Sequence, residues 1–325
     1  MGGGPSTVSL VVAGSGAGAL GFLAAGYKSA AAMSSEISAV RAATGAAFGV
    51  NVFVPGQPSA DRTAISGYLA TLVPEAEAVG AVLGDPSWDD DEFEAKIEVL
   101  LEDPVAAVSF TFGCPSPRLV ATLRSAGTVV IVTVTTASEA AMAQSAGADA
   151  LCVQGHEAGA HRGTFANRPN PTPEPGLLAL IEHVSAVSAL PLIAAGGIME
   201  PAQVDAVLTV GAVAVQCGTA FLRCPESGAS ADYKAALGSG RYTSTAITRA
   251  FSGRAARGLV NQFMVDHPDA PAAYPEINNA TRPVRAAAAA RHDAERMSLW
   301  AGQGYRSATE RPAAQVVTDL CGHLR

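Results

Sequence analysis

The sequence predicts an α/β protein built on a parallel β-sheet, and three features carry that prediction. From about residue 105 to residue 216, short apolar runs alternate with helix-length amphipathic segments, the pattern of repeated βα units whose strands are buried on both faces. One run, 150–153, opens directly into a polar loop punctuated by glycine, Gln154-Gly-His-Glu-Ala-Gly-Ala-His-Arg-Gly163. Two later runs end in glycine-rich turns, Ala194-Ala-Gly-Gly-Ile198 and Val215-Gln-Cys-Gly-Thr-Ala-Phe221. A sheet of this kind is either covered by helices on both sides or closed into a barrel, and both arrangements place active-site loops at the carboxyl ends of the strands.

Composition narrows the field. With 325 residues, 49% of them hydrophobic and only 15% charged, the chain can bury a large core and is not disordered. A net charge of −8 without a basic run excludes a nucleic-acid-binding role. Cys114, Cys152, Cys217, Cys224 and Cys321 are scattered, with no CxxC pair and no metal-ligand spacing, which predicts reduced thiols in a cytoplasmic protein and no metal site. No basic segment precedes the first apolar stretch, so no signal peptide is expected. No uninterrupted apolar run approaches the roughly 18 residues of a membrane span.

Taken in order, residues 1–6 form a glycine-rich loop, and Thr7 is placed to cap a short helix through residue 15. Residues 20–24 read as a strand. Residues 29–44 have helical spacing, with Met33, Ile37 and Val40 on one face. A second strand, 48–54, leads into a more polar insertion with a helical piece at 64–83, an acidic loop at 85–91 and a helix at 92–102. Regular alternation follows: strands at 105–110, 129–134, 150–154, 192–195 and 212–216, and helices at 117–126, 138–146, 176–188 and 201–210. Beyond Phe221 the pattern stops, and the tail from about 229 to 325 reads as mainly helical, with an irregular proline-bearing stretch at 267–283. The expected organisation is a barrel over 1–222, with the helical insertion at about 56–104, and a mainly helical segment, 223–325, packing over the active site.

Two motifs are decoys. Gly16-Ala-Gly-Ala-Leu-Gly21 matches the dinucleotide-binding fingerprint, and Glu36 follows about 20 residues later. That acid, however, falls inside a helical pattern and not at the end of a second strand, so tight packing before the strand at Leu20 explains the glycines better. His156 and His161 are five apart, whereas the zinc-protease motif needs histidines four apart on one helical face. The paired glycine-rich turns after the late strands have positive meaning, because backbone N–H groups there can hold a phosphate, as at the phosphate site of many (β/α)8 barrels.

Five barrel segments together resemble the nitronate monooxygenases, formerly called 2-nitropropane dioxygenases. They are Phe48-Gly-Val-Asn-Val-Phe-Val-Pro55, Val108-Ser-Phe-Thr-Phe-Gly113, Gln154 to Gly163, Ala194 to Ile198, and Gln216-Cys-Gly-Thr-Ala-Phe-Leu222. Ala250-Phe-Ser-Gly-Arg254 and Ser298-Leu-Trp-Ala-Gly-Gln-Gly304 in the tail fit as well. The resemblance covers almost the whole chain. It implies a (β/α)8 TIM barrel with FMN at the carboxyl ends of the strands and a helical second domain closing over it. It also implies oxidation of alkyl nitronates, and of nitroalkanes, by O2 to a carbonyl compound and nitrite. By the same resemblance FMN is contacted by Met1, Gly2, Asn51, Gln154, Gly159, Gly197, Gln216, Cys217, Gly218 and Thr219, and His161 is the catalytic residue, with no role for His156. The family usually has two glycines before that histidine; here the second is Ala160, which is strained if the backbone needs a positive φ. The expected small-molecule partners are the nitronate and O2, with no nucleic acid, membrane or metal.

A neutral nitroalkane must lose an α-proton before oxidation, and a histidine titrating near its ordinary value of about 6.5 suits that step or, protonated, holds the anion. Alternative readings are an FMN-dependent NAD(P)H:quinone or enoyl-thioester reductase on the same barrel, and a non-catalytic protein that binds flavin or another phosphate-bearing ligand. The strand candidates at Leu20, Phe48, Val105, Val129, Ala150, Leu192 and Ala212 leave the eight-stranded barrel one short. The run at 8–12 fits the first helix better, and Met1-Gly-Gly-Gly-Pro-Ser-Thr7 resembles the end of a first strand's loop. The expectation is a chain that starts one strand late, with unpaired edges at the strands near Leu20 and Ala212.

Overall fold

The computed structural model describes residues 1–169 and 175–324; the last residue of the expected tail, Arg325, lies outside them. The Thr7 hydroxyl accepts the Leu10 N–H at 3.0 Å and caps α1, Val8–Gly16, so the first apolar run is helical and not a barrel strand. The first strand, β1 (Gly21–Ala24), follows a tight approach: a Cβ on Gly21 would lie 2.7 Å from the Val11 carbonyl oxygen. That contact explains the glycine of the dinucleotide-like motif. Glu36 lies in α2 (Ala30–Ala43), its carboxylate 2.6 Å from Lys28 Nζ.

After β2 (Phe48–Phe53), the expected single helical piece divides into α3 (Arg62–Thr71) and α4 (Val73–Ala78). Pro74 sits in the first turn of α4, where it has no N–H to continue α3, and Gly80 at φ +66° ends the helical run short of residue 83. The insertion closes with α5 (Phe93–Glu102).

The alternation then proceeds as β3 (Ala107–Thr111), α6 (Pro117–Ser125), β4 (Val129–Val134), α7 (Ala137–Ser145) and β5 (Ala150–Gln154). A two-residue strand, β6 (Ala160–His161), precedes α8 (Leu177–Ser185), β7 (Leu192–Ala195), α9 (Pro201–Thr209) and β8 (Ala214–Gln216). Strand β8 is shorter than expected, although Ala212 is buried.

Seven of these strands form one parallel sheet in the order β1-β2-β3-β4-β5-β7-β8. Register aligns Leu23, Val50, Val108 and Val130, all fully buried, on the face covered by helices. The alternate positions turn inward. Ala107, Ile131, Ala150, Cys152 and Ala195 form a small inner cluster with Phe22 and Ile193. Phe22 fills the space left by Gly49, where a Cβ would lie 2.3 Å from its ring. The architecture is a curled, TIM-barrel-like α/β fold one strand short of eight, because β1 and β8 do not pair with each other among the described residues.

The tail holds more than helices. After α10 (Ala231–Gly238), β9 (Thr245–Thr248) and β10 (Ala256–Leu259) form an antiparallel pair, and β6 adds to it to give a second sheet in the order β6-β10-β9. The helices α11 (Gln262–Asp266), α12 (Glu276–Ala290) and α13 (Ala313–Cys321) complete the chain. Insertion and tail share apolar clusters: Ile65, Tyr68 and Leu72 pack with Phe251, Phe263 and Ile277, and Ala76 and Val79 pack with Val284 and Leu299.

Candidate active site at the carboxyl ends of the strands

Inward-facing residues at the strand ends form a polar floor. Asn51 Nδ2 donates to the Ser109 carbonyl (3.2 Å), Ser109 Oγ (2.8 Å) and Thr111 Oγ1 (2.9 Å). The carbonyl can only accept, which fixes the amide orientation and leaves Asn51 Oδ1 without a donor among the described residues. Thr111 and Thr133 continue the belt at 3.3 Å. At the end of β5, Gln154 Oε1 accepts from Arg162 Nη1 (2.9 Å) and Gly163 N–H (2.8 Å), while its Nε2 donates to the His161 carbonyl (3.1 Å). Gly163 is required there, since a Cβ would lie 2.8 Å from the Thr133 methyl.

The histidine loop is fastened from within. Arg162 is 2% exposed and donates to the Gly155 and Gln154 carbonyls at 2.6 and 3.1 Å. Glu139 also fixes the loop, accepting from Thr135 N–H and, at 2.7 Å, from Phe165 N–H. Ala160 adopts φ +63°, the left-handed conformation that an alanine reaches only with strain. That backbone turn delivers His161 onto β6, opposite Ala256 of β10.

His161 sits among the rings of Phe112, Tyr274 and Trp300, with centroids 5.9, 5.7 and 5.4 Å away. Its Nε2 lies 2.8 Å from Ser252 Oγ. Ser252 Oγ donates to the Arg254 carbonyl at 3.1 Å, so its single proton is committed there and the bond to the ring runs from Nε2–H to Oγ. Nδ1 is then the unprotonated nitrogen. The ring does not titrate near neutrality as expected: burial, reinforced by the charges of Arg254 and Arg285, pushes it down to about 3. Arg254 lies with its guanidinium carbon 3.9 Å over the Phe112 ring, and burial lowers it to about 10.

Three glycine turns converge nearby. Gly196 and Gly197 take φ +118° and +73°, and a Cβ on Gly197 would meet the Glu157 side chain at 3.0 Å. Gly218 and Thr219 follow β8, with Thr219 opening a short 3₁₀ turn. The tail supplies the third turn. Gly302 N–H donates to Thr219 Oγ1 at 3.0 Å, and Gln303 N–H to the Glu157 carbonyl at 3.0 Å. Gly159 backs onto this turn: a Cβ there would lie 2.4 Å from Gly302 N.

Met1 and Gly2 reach the same end of the barrel. A Cβ on Gly218 would touch the Met1 side chain at 3.4 Å, and one on Gly2 would lie 3.5 Å from the Phe53 ring. Gln216 is exposed at the end of β8, and burial pushes the Cys217 thiol up to about 12, so it stays protonated at neutral pH.

A cavity of about 730 Å³ adjoins the histidine cage, sharing Phe112, Tyr274 and Arg254 with it. Its other walls include Tyr27, Gln57, Asn167 and Asn278. His156 is elsewhere, with Nδ1 3.3 Å from the Pro175 carbonyl oxygen and 3.8 Å from Glu157. The sequence motifs Val108–Gly113, Ala250–Arg254 and Ser298–Gly304 contain Phe112, Ser252, Arg254 and Trp300 but gave these residues no roles, and Tyr274 and Glu139 lie outside every motif. Ser252 is 91 residues from His161, a separation that no local pattern spans.

Comparison with known proteins covers almost the whole chain. The family model described as "Nitronate monooxygenase" matches residues 1–323. A probable nitronate monooxygenase of Staphylococcus aureus (strain Newman) is 38% identical over 331 residues, covering 99% of this chain and 92% of that protein. A crystal structure of nitroalkane oxidase from Streptomyces ansochromogenes superposes with a TM-score of 0.95 at 47% identity, covering 100% of this chain and 93% of the other. FabK from Thermotoga maritima superposes with a TM-score of 0.71 at 27% identity, covering 99% and 89%. This chain therefore belongs to the nitronate monooxygenases, an oxidoreductase family.

Proposed function

We propose that the protein oxidises alkyl nitronates with O2, releasing nitrite and a carbonyl compound, with FMN as its cofactor. The observation that carries this reading is His161, a neutral ring held in an aromatic cage beside a glycine cradle at the carboxyl end of the barrel. A ring pushed down to about 3 is a poor base for the α-proton of a neutral nitroalkane. A nitronate is already an anion and needs no base, so it is the substrate this environment favours.

The residues fit FMN. The turns at Gly197 and Gly302 pack closely on Glu157, where a Cβ would lie 3.0 Å and 2.9 Å from its atoms, and Gly302 N–H is joined to Thr219 beside Gly218; glycine turns after late strands can hold a phosphate with backbone N–H groups. Asn51 and Gln154 place amide groups at the strand ends for the polar edge of a ring system. When bound, FMN supplies the electron-accepting chemistry. The protein's own part is to hold the nitronate against His161, keep that ring in the Nε2–H tautomer through Ser252, and screen the site from water with Phe112, Tyr274 and Trp300.

The test is an absorbance spectrum of purified protein followed by oxygen uptake with propionate 3-nitronate. A flavin spectrum, oxygen consumption and nitrite release are expected. Colourless protein that cannot be reconstituted with FMN would refute the cofactor assignment. The likeness to FabK supports one rival, an NAD(P)H-dependent reductase, and anaerobic oxidation of NADH without nitronate turnover would favour it.

A further inference from the structure

Arg254 is 5% exposed, yet its guanidinium is only partly used. Nε donates to the Arg162 carbonyl at 3.3 Å, and Nη2 donates to the Thr164 carbonyl and reaches Thr164 Oγ1 at 3.4 Å. Nη1 has no partner, and the residue forms no ion pair, among the described residues. The carboxylate that acts on Arg254 from within, Glu139, makes no ion pair with it and is taken up by Thr135 and Phe165, and a buried cation so weakly balanced is costly, so that an anion brought to it regains much of that cost.

The cavity wall explains where such an anion would come from. Arg254 lines the cavity together with Phe112 and Tyr274, and its backbone is tied through Ser252 to the His161 ring. The carboxylates lining the cavity are engaged: Asp89 accepts from Asn279 Nδ2 at 2.7 Å, Asp90 accepts the Glu92 N–H at 3.0 Å, Asp91 pairs with Lys96 at 2.8 Å, and Glu92 accepts the Ala30 N–H at 2.8 Å. They do not neutralise Arg254. The cavity is also far larger than a short nitronate needs, and Gln57, Ser59, Asn167, Asn278 and Asn279 give it polar walls.

We propose that Arg254 is the anion-holding residue of this cavity, donating through Nη1 to the nitronate oxygens, with the polar chamber beyond it taking the substrate's substituent. This rests on the nitronate reading above. It adds a residue that selects for the ionised substrate and places that substrate's charge beside His161.

The test separates the two claims by measuring binding without turnover. Sodium propionate, an inert carboxylate of nitronate shape, is titrated calorimetrically into FMN-loaded wild type and Arg254→Gln, with propionamide as the neutral isostere. Loss of a charge-assisted hydrogen bond should weaken propionate binding roughly tenfold or more and leave propionamide unchanged. Added guanidinium at non-denaturing concentration should partly restore propionate binding to Arg254→Ala, which a merely structural role would not allow. Wild type that does not bind propionate, equal affinity in Arg254→Gln, or an equal loss for propionamide would each overturn the proposal. Propionate binding that depends on Arg254 in a protein inert towards nitronates would leave the anion site standing and remove the nitronate reading. Nitronate turnover with an unchanged KM in Arg254→Gln would do the reverse.

Discussion

His161 links protonation to stability. Its ring is held near 3 in the folded protein and returns to about 6.5 when unfolded, so below pH 6.5 the unfolded chain binds the extra proton. The stability associated with the neutral ring is therefore complete above about pH 6.5 and declines as the pH falls towards 3, by up to about 1.4 kcal/mol per pH unit. His161→Asn should flatten that acid limb of the urea-melt stability profile. The same substitution should cut nitronate turnover, whereas His156→Asn should alter neither. A larger kinetic loss in the His156 variant would mean the wrong histidine has been named. At the neighbouring position, Ala160→Gly should stabilise the fold by up to about 1 kcal/mol in urea titrations, because glycine takes a positive φ without strain. The role proposed for His161 came from the family resemblance, and the strain at Ala160 was legible from the loop's motif and is met at φ +63°. The depressed protonation was not, because Arg254, Arg285 and the aromatic cage come from distant segments.

Among the secondary elements, the glycine turns are the most exposed to test. Gly218→Val should abolish flavin retention, read as loss of the yellow absorbance through gel filtration. Gly302→Val should weaken it too, since even a Cβ there would lie 2.9 Å from the Glu157 carbonyl oxygen and 3.1 Å from Gly159 N. Retention of stoichiometric flavin by both variants would remove the cradle. The repeating β and α elements were readable because short apolar runs alternate with helix-length amphipathic segments. Strands β9 and β10 were not, because Thr245-Ala-Ile-Thr248 and Ala256-Arg-Gly-Leu259 carry no sustained apolar run and exist by pairing with each other and, for β10, with β6 far back in the chain. The third glycine turn escaped for the same reason: its partner Thr219 is 83 residues away.

For the whole molecule, barrel and tail are joined at the candidate site. Strand β6 belongs to the barrel's loop but pairs with β10 of the tail, and His161 is packed between Phe112 from one and Tyr274 and Trp300 from the other. Unfolding should accordingly be one cooperative transition, with Trp fluorescence and far-UV circular dichroism giving coincident denaturant midpoints. Separated midpoints would show the tail detaching first. The open edges at β1 and β8 were anticipated from the strand count, and the helical state of α1 from Thr7.

The two-sided construction of the cavity bears on how such an enzyme can diversify. One wall comes from barrel loops, at Tyr27, Phe53 and Phe112, and the other from the tail, at Arg254, Ala272, Tyr274 and Arg282. The turns at Gly197 and Gly218 lie wholly on the barrel side. Exchange of residues 267–283 for the equivalent stretch of a relative would thus remodel one face of the chamber and leave those turns untouched. On the function proposed above, lineages can drift in which nitronates they accept while inheriting the proposed FMN seat unchanged.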